Sequence, residues 1–388
     1  MRAIELFAGA GGLGMGVSKA GFSPELVVEW DKWCCDTLRH NRANRNSPLD
    51  GWPSPVEADV RYVDYSSFQG RIDLVTGGPP CQPFSLGGKH GAHLDPRDMW
   101  SEAVRAVRTV RPLAFIFENV KGLTRNSFAT YLAYIERQLN YPELTAKVDE
   151  PWMDHLGRLE RFHSGRGVEI DLAYNVSYRV LNAADYGVPQ KRERIVFVGF
   201  RADLGMKWSF PEITHSRDSL NHDQGSKGEY WDRHRVATIH RRVAQSRPMS
   251  KNSYSSKLLP WLTIRDALLG LPDPEFNPDL AVHHLNHRFQ PGARQYAGHT
   301  GSPLDEPAKT LKAGVHGVPG GENMLVRLDG SVRYFSVRES ARLQTFPDQF
   351  ALHGSWSEAM RQLGNAVPVR LAEVVARDVF RTLTTAEI

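Results

Sequence analysis

The residues from Ile72 to Ser85 read IDLVTGGPPCQPFS, an apolar run that leads into a turn built from glycines and prolines. Apolar residues before a Gly/Pro cluster predict a buried strand that ends at the edge of a sheet. Two prolines fix the backbone, so the thiol of Cys81 is presented from a rigid turn. Ligands and reacting groups gather at this edge of open α/β sheets, which makes Cys81 a candidate nucleophile. The alternative is a buried cysteine in a tight loop.

Other short apolar runs alternate with longer amphipathic stretches, and Leu13 to Ala20 has a helical pattern. Strands that alternate with helices predict an α/β fold with a parallel sheet and helices on both faces. The further strand candidates are Ala3–Phe7, Leu26–Glu29, Leu113–Phe117, Val176–Leu181 and Ile195–Phe200.

The character of the chain changes after about residue 201. Residues 201–260 hold eleven Lys and Arg against six Asp and Glu, and apolar runs up to residue 335 are short and poorly periodic. A helical apolar face returns near the C-terminus, with Asn365 as its expected cap and Pro368 in its first turn. We therefore predict a first domain part at 1–200, an irregular basic insertion at 201–335, and a return to the first domain at 336–388.

Composition is ordinary for a globular protein of 388 residues, with a formal net charge of +4. The three cysteines include no Cys-x-x-Cys pair, so we expect no zinc site and a reducing, cytoplasmic location. We expect no signal peptide and no membrane span, because no apolar run approaches the roughly 18 residues that a span needs.

Two loops near the N-terminus have the composition of a ligand site. Glycines at positions 9, 11, 12 and 14 follow the first strand, and they let the backbone approach a nucleotide-like ligand closely. The second strand ends at Glu29, where a carboxyl is placed to accept hydrogen bonds from ribose hydroxyls, and Trp30 beside it offers a ring for stacking. Asp59 resembles a third strand end of the same kind. A plain tight turn and a solvated strand end remain the alternatives.

Charged residues also end two strands farther along the chain. Glu118 follows five apolar residues, and burial there would raise its pKa and let it donate a proton near neutral pH. Arg192 and Arg194 alternate, so both are expected on one face of a strand, pointing into a cleft. A helix-capping glutamate and a solvated edge strand would have the same patterns.

Six motifs in a fixed order make the chain resemble the cytosine-C5 DNA methyltransferases, bacterial restriction-modification type. The matching pieces are Phe7 to Gly11, Pro80-Cys81-Gln82, Glu118-Asn119-Val120, Gln190 to Arg194, Arg338 to Asp348, and Gly364-Asn365-Ala366-Val367. The resemblance covers nearly the whole chain outside 201–335 and implies a Rossmann-like methyltransferase fold with a smaller target-recognition domain.

The resemblance also implies roles for particular residues. Cys81 would attack C6 of a flipped cytosine, Glu118 would act as the acid at N3, and Arg192 and Arg194 would contact the base and organise the pocket. The implied cofactor is S-adenosylmethionine, converted to S-adenosylhomocysteine. Its expected binding residues are Phe7, Ala8, Gly9, Gly11, Gly12, Leu13, Glu29, Trp30, Asp59, Val60, Pro80, Trp100, Asn365 and Val367.

The implied partner is double-stranded DNA, and the expected phosphate contacts are Ser85, Lys89, Arg97, Arg241 and Arg242. We expect a monomeric stand-alone enzyme that protects DNA from a cognate restriction endonuclease without a stable complex. The nearest rival is a tRNA cytosine-C5 methyltransferase of the same fold, which the long 201–335 region argues against. A nicotinamide-dependent dehydrogenase leaves Pro-Cys-Gln unexplained, and a non-catalytic DNA-binding protein leaves Cys81 and Glu118 unexplained.

Overall fold

A seven-stranded sheet forms the centre of the protein in a computed structural model that describes residues 1–45, 47–80, 99–165, 170–225, 228–241, 257–313 and 323–385. The strands lie side by side in the order β3-β2-β1-β4-β5-β7-β6. They are β1 (Arg2–Leu6), β2 (Ser23–Glu29), β3 (Val56–Glu57), β4 (Leu74–Gly77), β5 (Ala114–Val120), β6 (Tyr174–Asn182) and β7 (Glu193–Arg201).

The sheet is mostly parallel, as predicted. Strands β1 to β5 pair in parallel, whereas β7 lies antiparallel between β5 and β6. Chain order runs outward from β1 through β2 to β3 and then returns to β4 on the other side of β1. Such a reversal leaves a crevice beyond the carboxyl ends of the two central strands, which here are β1 and β4.

Alternating side chains of the strands enter two different cores, because successive residues of a strand point to opposite faces. Ile4, Val75 and Phe117 belong to one buried cluster, whereas Leu74 and Ile116 belong to the other. Helices cover both faces and have the bounds α1 (Gly12–Lys19), α2 (Lys32–Ala43), α3 (Trp100–Val110), α4 (Ala129–Asn140) and α5 (Trp152–Ser164). The predicted α/β architecture is confirmed.

Residues 201–335 contain short elements. They include α6 (Arg217–Asp223), α7 (Tyr230–Arg233), α8 (Ile264–Ala267), α9 (Pro278–Ala281), β8 (His215–Ser216), β9 (Leu259–Pro260), β10 (Ser302–Pro303), β11 (Met324–Val326) and β12 (Val332–Tyr334). A small core of their own joins Ile264, Leu325 and Phe335 to Leu343, which lies beyond the expected boundary. The proposed division of the chain into domains stays a prediction.

Three helices complete the described chain: α10 (Val337–Leu343), α11 (Trp356–Asn365) and α12 (Val369–Thr385). Asn365 ends α11, so the expectation that it caps the last helix is wrong. The apolar face of α12 joins the same core as Leu13 and Val17 of α1. Short 3₁₀ turns connect the larger elements at Val60–Tyr62, Ser66–Phe68, Lys121–Thr124, Asn126–Phe128, Ala183–Tyr186, Ala202–Leu204 and Thr238–His240.

The packing of α1 on α12 generates the first prediction. A Cβ on Gly16 would lie 2.6 Å from Val369 O and 2.5 Å from Glu373 N, so Gly16→Ala forces the helices apart. We expect a loss of about 1–3 kcal/mol in the free energy of unfolding, measured by denaturant titration. Gly157→Ala in α5 is the control, because its Cβ would meet Arg161 at an ordinary 3.6 Å. That change should stabilise the helix by up to about 1 kcal/mol. A change of the free energy of unfolding in the same direction for both variants would contradict the prediction.

Candidate active site

The turn after β1 lies at the crevice and has an unusual backbone. Gly9 and Gly11 have positive φ angles of 54° and 79°, and the non-glycine residue Phe7 also has a positive φ of 54°. The amide of Ala8 donates to Val28 O at 3.1 Å, and the amide of Gly11 donates to Ala8 O at 2.8 Å. A Cβ on Gly9 would meet no atom of the described residues within 4 Å, so the backbone there faces open space.

A buried carboxyl organises the end of β2. Glu29 Oε2 accepts the amide of Gly9 at 2.6 Å, and Oε1 accepts the amides of Trp30 and Asp31 at 2.9 and 2.8 Å. Burial raises the pKa of Glu29 against these hydrogen bonds. The indole of Trp30 is 73% exposed beside it. Arg361 on α11 donates to Asp31 at 2.8 Å and holds the loop that carries Trp30, a contact that sequence reasoning missed.

The other expected cofactor residues differ in their surroundings. Ala58 donates to Glu29 O, which brings Asp59 and Val60 beside the end of β2, and hydrogen bonding to Arg61 lowers the pKa of Asp59. Asn365 is exposed as the last residue of α11, and Val367 lies in the turn that follows. A Cβ on Gly12 would overlap Val367 O, so this turn covers the glycine loop.

Several of the expected cofactor residues have core positions, among them Leu13 and Trp100. Leu13 is buried in the core shared with α12. Trp100 is fully buried, with ring centroids 5.1 Å from Phe197 and 6.0 Å from Phe117. Pro80 is exposed at the other side of the crevice, after β4.

An open glycine backbone, a carboxyl and an exposed indole therefore surround one crevice. This set fits an adenosine-type ligand, whose hydroxyls would bind the carboxyl and whose base would stack on the ring. Within the described residues, no group of three or more His, Cys, Asp or Glu side chains is placed to hold a metal ion. No helix in that part of the chain is long and apolar enough to cross a membrane.

Glu118 and Arg194 meet at the same edge of the sheet. Arg194 Nε lies 2.6 Å from Glu118 Oε1, and the two side chains form an ion pair. Glu118 is buried, and burial raises its pKa although Arg194 and Arg192 oppose the shift. Burial therefore favours the protonated form of Glu118 more than exposure to solvent would, as a general acid requires.

The rigid turn after β4 lies directly against this acid. A Cβ on Gly78 would be 3.3 Å from Glu118 Oε2, and Asn119 Nδ2 donates to Pro79 O at 2.9 Å. The amide of Met99 donates to Pro80 O at 3.3 Å, so both flanks of segment 81–98 meet here. Cys81 itself lies outside the described residues, as do Ser85, Lys89 and Arg97. Sequence reasoning assigned no role to Asn119, because its partner is forty positions away in the chain.

Arg192 does not share the surroundings of Arg194. Its guanidinium is fully buried and donates to Leu311 O at 3.0 Å and to Gly364 O at 2.7 Å. The expectation that both arginines point into the cleft relied on strand alternation, but β7 begins only at Glu193. Arg192 therefore joins the start of β7 to the 201–335 region and to α11, and its roles at the base and in the pocket stay predictions.

Two glutamines extend this buried junction. Both lie in motifs found in the sequence, which assigned them no individual role. Gln190 Oε1 accepts the amide of Leu311 at 3.0 Å, and its Nε2 donates to Gln344 Oε1 at 3.2 Å. Gln344 Nε2 in turn donates to Leu363 O at 2.5 Å. The motif before β7 is thus joined to the end of the 201–335 region and to α11.

The basic run expected to contact DNA is only partly described. Arg241 donates to Asp232 at 2.7 Å and to Val236 O at 2.9 Å, so its charge already has an internal partner. Arg242 lies outside the described residues. The contact of either residue with DNA stays a prediction.

The match to known proteins agrees with this geometry. A family model described as C-5 cytosine-specific DNA methylase matches residues 1–141 and 168–381. The Type II methyltransferase M.PspPI of Psychrobacter sp. is 32% identical, with 99% of this chain and 80% of the relative covered. M.Eco47II of Escherichia coli is 31% identical over 98% of this chain and 79% of its own length. A solved structure from an Escherichia coli prophage, described as a DNA modification methyltransferase, shares the fold at a TM-score of 0.61 and 20% identity, with 99% of each chain covered.

The chain belongs to the C-5 cytosine-specific DNA methylase family, and it is a DNA (cytosine-5-)-methyltransferase. The fold and the family expected from the motif order are confirmed. The assignments of individual site residues stay predictions.

Glu118→Gln gives the second prediction. The amide keeps the shape of the side chain but cannot donate the acid proton, so we expect the methyl-transfer rate to fall ~10²- to 10⁴-fold. Wild-type activity should also fall as rising pH removes the Glu118 proton, and the variant should lack this dependence. Single-turnover rates across pH measure both effects.

Glu193→Gln is the matched control, because Glu193 is an exposed neighbour whose carboxylate pairs with Lys121. It should keep the wild-type rate and pH profile. A loss below about tenfold for Glu118→Gln would assign Glu118 a structural role instead.

Proposed function

We propose that the protein transfers a methyl group from S-adenosylmethionine to C5 of a cytosine in a specific double-stranded DNA sequence. The crevice supports the cofactor, since its glycine backbone, Glu29 and Trp30 fit an adenosine. The observation that carries the reaction is the buried acid Glu118 against the turn that leads to Cys81. S-adenosylmethionine supplies an electrophilic methyl group on a sulfonium, and residues of the chain activate the cytosine.

Covalent catalysis at Cys81 accounts for how the unreactive C5 gains nucleophilic character. The Cys81 thiolate adds to C6 while Glu118 gives its proton to N3, and the π electrons of the C5–C6 bond shift toward C5. With the cofactor bound, C5 would form a bond to the methyl carbon as the bond from that carbon to sulfur breaks, which would release S-adenosylhomocysteine. A base then removes the proton from C5, the thiolate leaves C6, and N3 returns its proton to Glu118. Cytosine inside a duplex cannot be reached in this way, so the target base must be flipped out.

Target recognition belongs, in this proposal, to the 201–335 region. Its exposed segment 288–299 places two arginines, Arg288 and Arg294, beside the exposed rings of Phe289 and Tyr296. The chain then continues to Ala308, whose carbonyl accepts the amide of Lys191 at 2.8 Å. Segment 288–299 is therefore attached to the catalytic edge through a short connection, as a DNA-reading surface requires.

The biological role that we infer is protection of cellular DNA within a restriction-modification system. The support is the similarity to the Type II methyltransferases M.PspPI and M.Eco47II over nearly the full chain. A partner endonuclease would then act on the same site in the cytoplasm without a stable complex, and the methyltransferase would work as a monomer. Bisulfite sequencing of DNA from cells that express the protein tests the proposal, and an absence of any methylated cytosine motif overturns it.

The nucleophile is tested by substitution and by trapping. Cys81→Ser should abolish turnover while DNA binding largely survives, because a hydroxyl is far less acidic than a thiol. DNA with 5-fluorocytosine at the target position blocks loss of the C5 substituent, so it should trap a denaturation-resistant complex with the wild type. The same DNA should give no such band with Cys81→Ser. A band that persists in the variant, or none with the wild type, would refute the covalent route.

The DNA contact of segment 288–299 is tested by salt titration. Arg294→Gln should lower the slope of log affinity against log salt by about 1, because one phosphate contact is lost. Arg241→Gln is the matched comparison and should leave the slope unchanged, since Asp232 already binds that guanidinium. A slope that falls for Arg241→Gln and stays constant for Arg294→Gln would return the phosphate contact to the basic run around Arg241.

A further inference from the structure

Two carboxyls from neighbouring strands hold the two ends of the glycine loop. Glu29 on β2 accepts the amide of Gly9 at 2.6 Å, as described above. Glu5 on β1 accepts the amide of Gly14, in the first turn of α1, at 2.8 Å. A carboxyl therefore holds each end of the loop between Gly9 and Gly14. Glu29 is followed by the exposed residue Trp30.

Glu5 is locked in place by the packing around it. Its side chain is fully buried, and Oε2 has no hydrogen-bond partner in the described part of the chain. A Cβ on Gly14 would overlap Glu5 Oε2 and would lie 2.6 Å from the Trp52 ring. Gly14 does not have a positive φ, so its lack of a side chain serves to make room for Glu5.

The groups that face Glu5 offer no positive charge. Helix α1 contributes the amide of Gly14, and the segment after α2 contributes the neutral indole of Trp52. Strand β4 places the neutral Thr76 opposite Glu5 in the sheet. Among the described residues, the titratable group that affects Glu5 is Glu29, which has the same sign of charge.

We propose that Glu5 is a positioning residue that works as a neutral carboxylic acid, and that loss of its proton loosens the cofactor loop and weakens cofactor binding in alkaline solution. The inference rests on the proposed function, since it concerns the site assigned to S-adenosylmethionine. On ionisation the proton passes to solvent and leaves a buried negative charge, which Glu29 disfavours and which no cation of the described residues balances. Movement of the loop, which lets water reach Glu5, relieves that cost.

The direction of the titration agrees with this geometry. Burial, with the nearby Glu29, raises the pKa of Glu5 to about 8 against the hydrogen bond from Gly14. The neutral form thus prevails at neutral pH and is lost as the pH rises above 8. If only the neutral form binds the cofactor, apparent affinity falls in proportion to its population, which means roughly tenfold at pH 9.

The test uses Glu5→Gln, which keeps the size of the side chain and the oxygen that accepts the Gly14 amide but cannot ionise. The dissociation constant of S-adenosylhomocysteine is measured by calorimetry from pH 6.5 to 9.0. The two proteins should bind alike below pH 7, and the wild type alone should lose about tenfold by pH 9. The difference between the two curves cancels the titration of the ligand itself. Parallel curves would overturn the proposal.

Glu25→Gln is the matched control, because Glu25 is an exposed acid on β2 and undergoes the same chemical change. It should retain the wild-type pH dependence. Failure of S-adenosylhomocysteine to bind any of the three proteins at any pH would count against the proposed function instead.

Thermal denaturation supplies a readout that a purely structural hydrogen bond would not change. Folded Glu5 keeps its proton from pH 4.5 to 8 while the unfolded chain releases it, so the wild type loses stability relative to Glu5→Gln through this interval. The gap in melting temperature should widen up to pH 8 and then stay constant. If Glu5→Gln does not fold, the pH dependence of S-adenosylhomocysteine binding to the wild type tests the inference by itself. An affinity that stays constant from pH 6.5 to 9.0 refutes it.

Discussion

The buried guanidinium of Arg192 is the interaction on which the arrangement of the active site depends. It binds the carbonyls of Leu311, from the 201–335 region, and Gly364, from α11, and it has no exposed surface. A buried charge without its partners costs several kcal/mol, of order 3–5 when one partner is removed, so the three segments must meet in this geometry if the chain is folded. Arg194, two positions later, is thereby fixed against Glu118.

The turn after β1, which lies at the crevice, departs from ordinary backbone preferences. Phe7 has a left-handed backbone that costs a bulky residue of order 1–3 kcal/mol. Two buried acids hold the loop, and no cation of the described part of the chain is among the groups that shift their pKa values most. The surrounding core compensates, since α1 packs on α12 and Val367 covers Gly12. Strain and buried charge concentrate at functional sites because an open, preformed backbone is what a ligand can bind.

The sequence permits prediction of whatever depends on neighbours along the chain. Apolar runs such as Leu113–Phe117 define strands. Glu118, expected to end that strand, lies two residues before its end, because β5 continues to Val120 in its pairing with β7. Contacts between distant segments could not be predicted in this way. Arg192 precedes its strand and binds carbonyls more than a hundred positions away, and Trp100 enters the core between two phenylalanines. The partner of Glu5 is an amide nine positions away, which no local pattern reveals.

The buried carboxyl of Glu118 connects the structure to the chemistry. Its Oε1 forms an ion pair with Arg194 Nε at 2.6 Å, and its Oε2 lies beside the turn at Gly78. Each carboxyl oxygen can take part in more than one hydrogen bond, so the ion pair orients the side chain and leaves it able to bind a further group. In the proposed reaction, a flipped cytosine brings an exocyclic amine that donates and a ring nitrogen that accepts, which match the two oxygens of a neutral carboxyl. Arg194 thus holds the carboxyl in one orientation before the base enters, so that little reorganisation is needed when the proposed reaction begins.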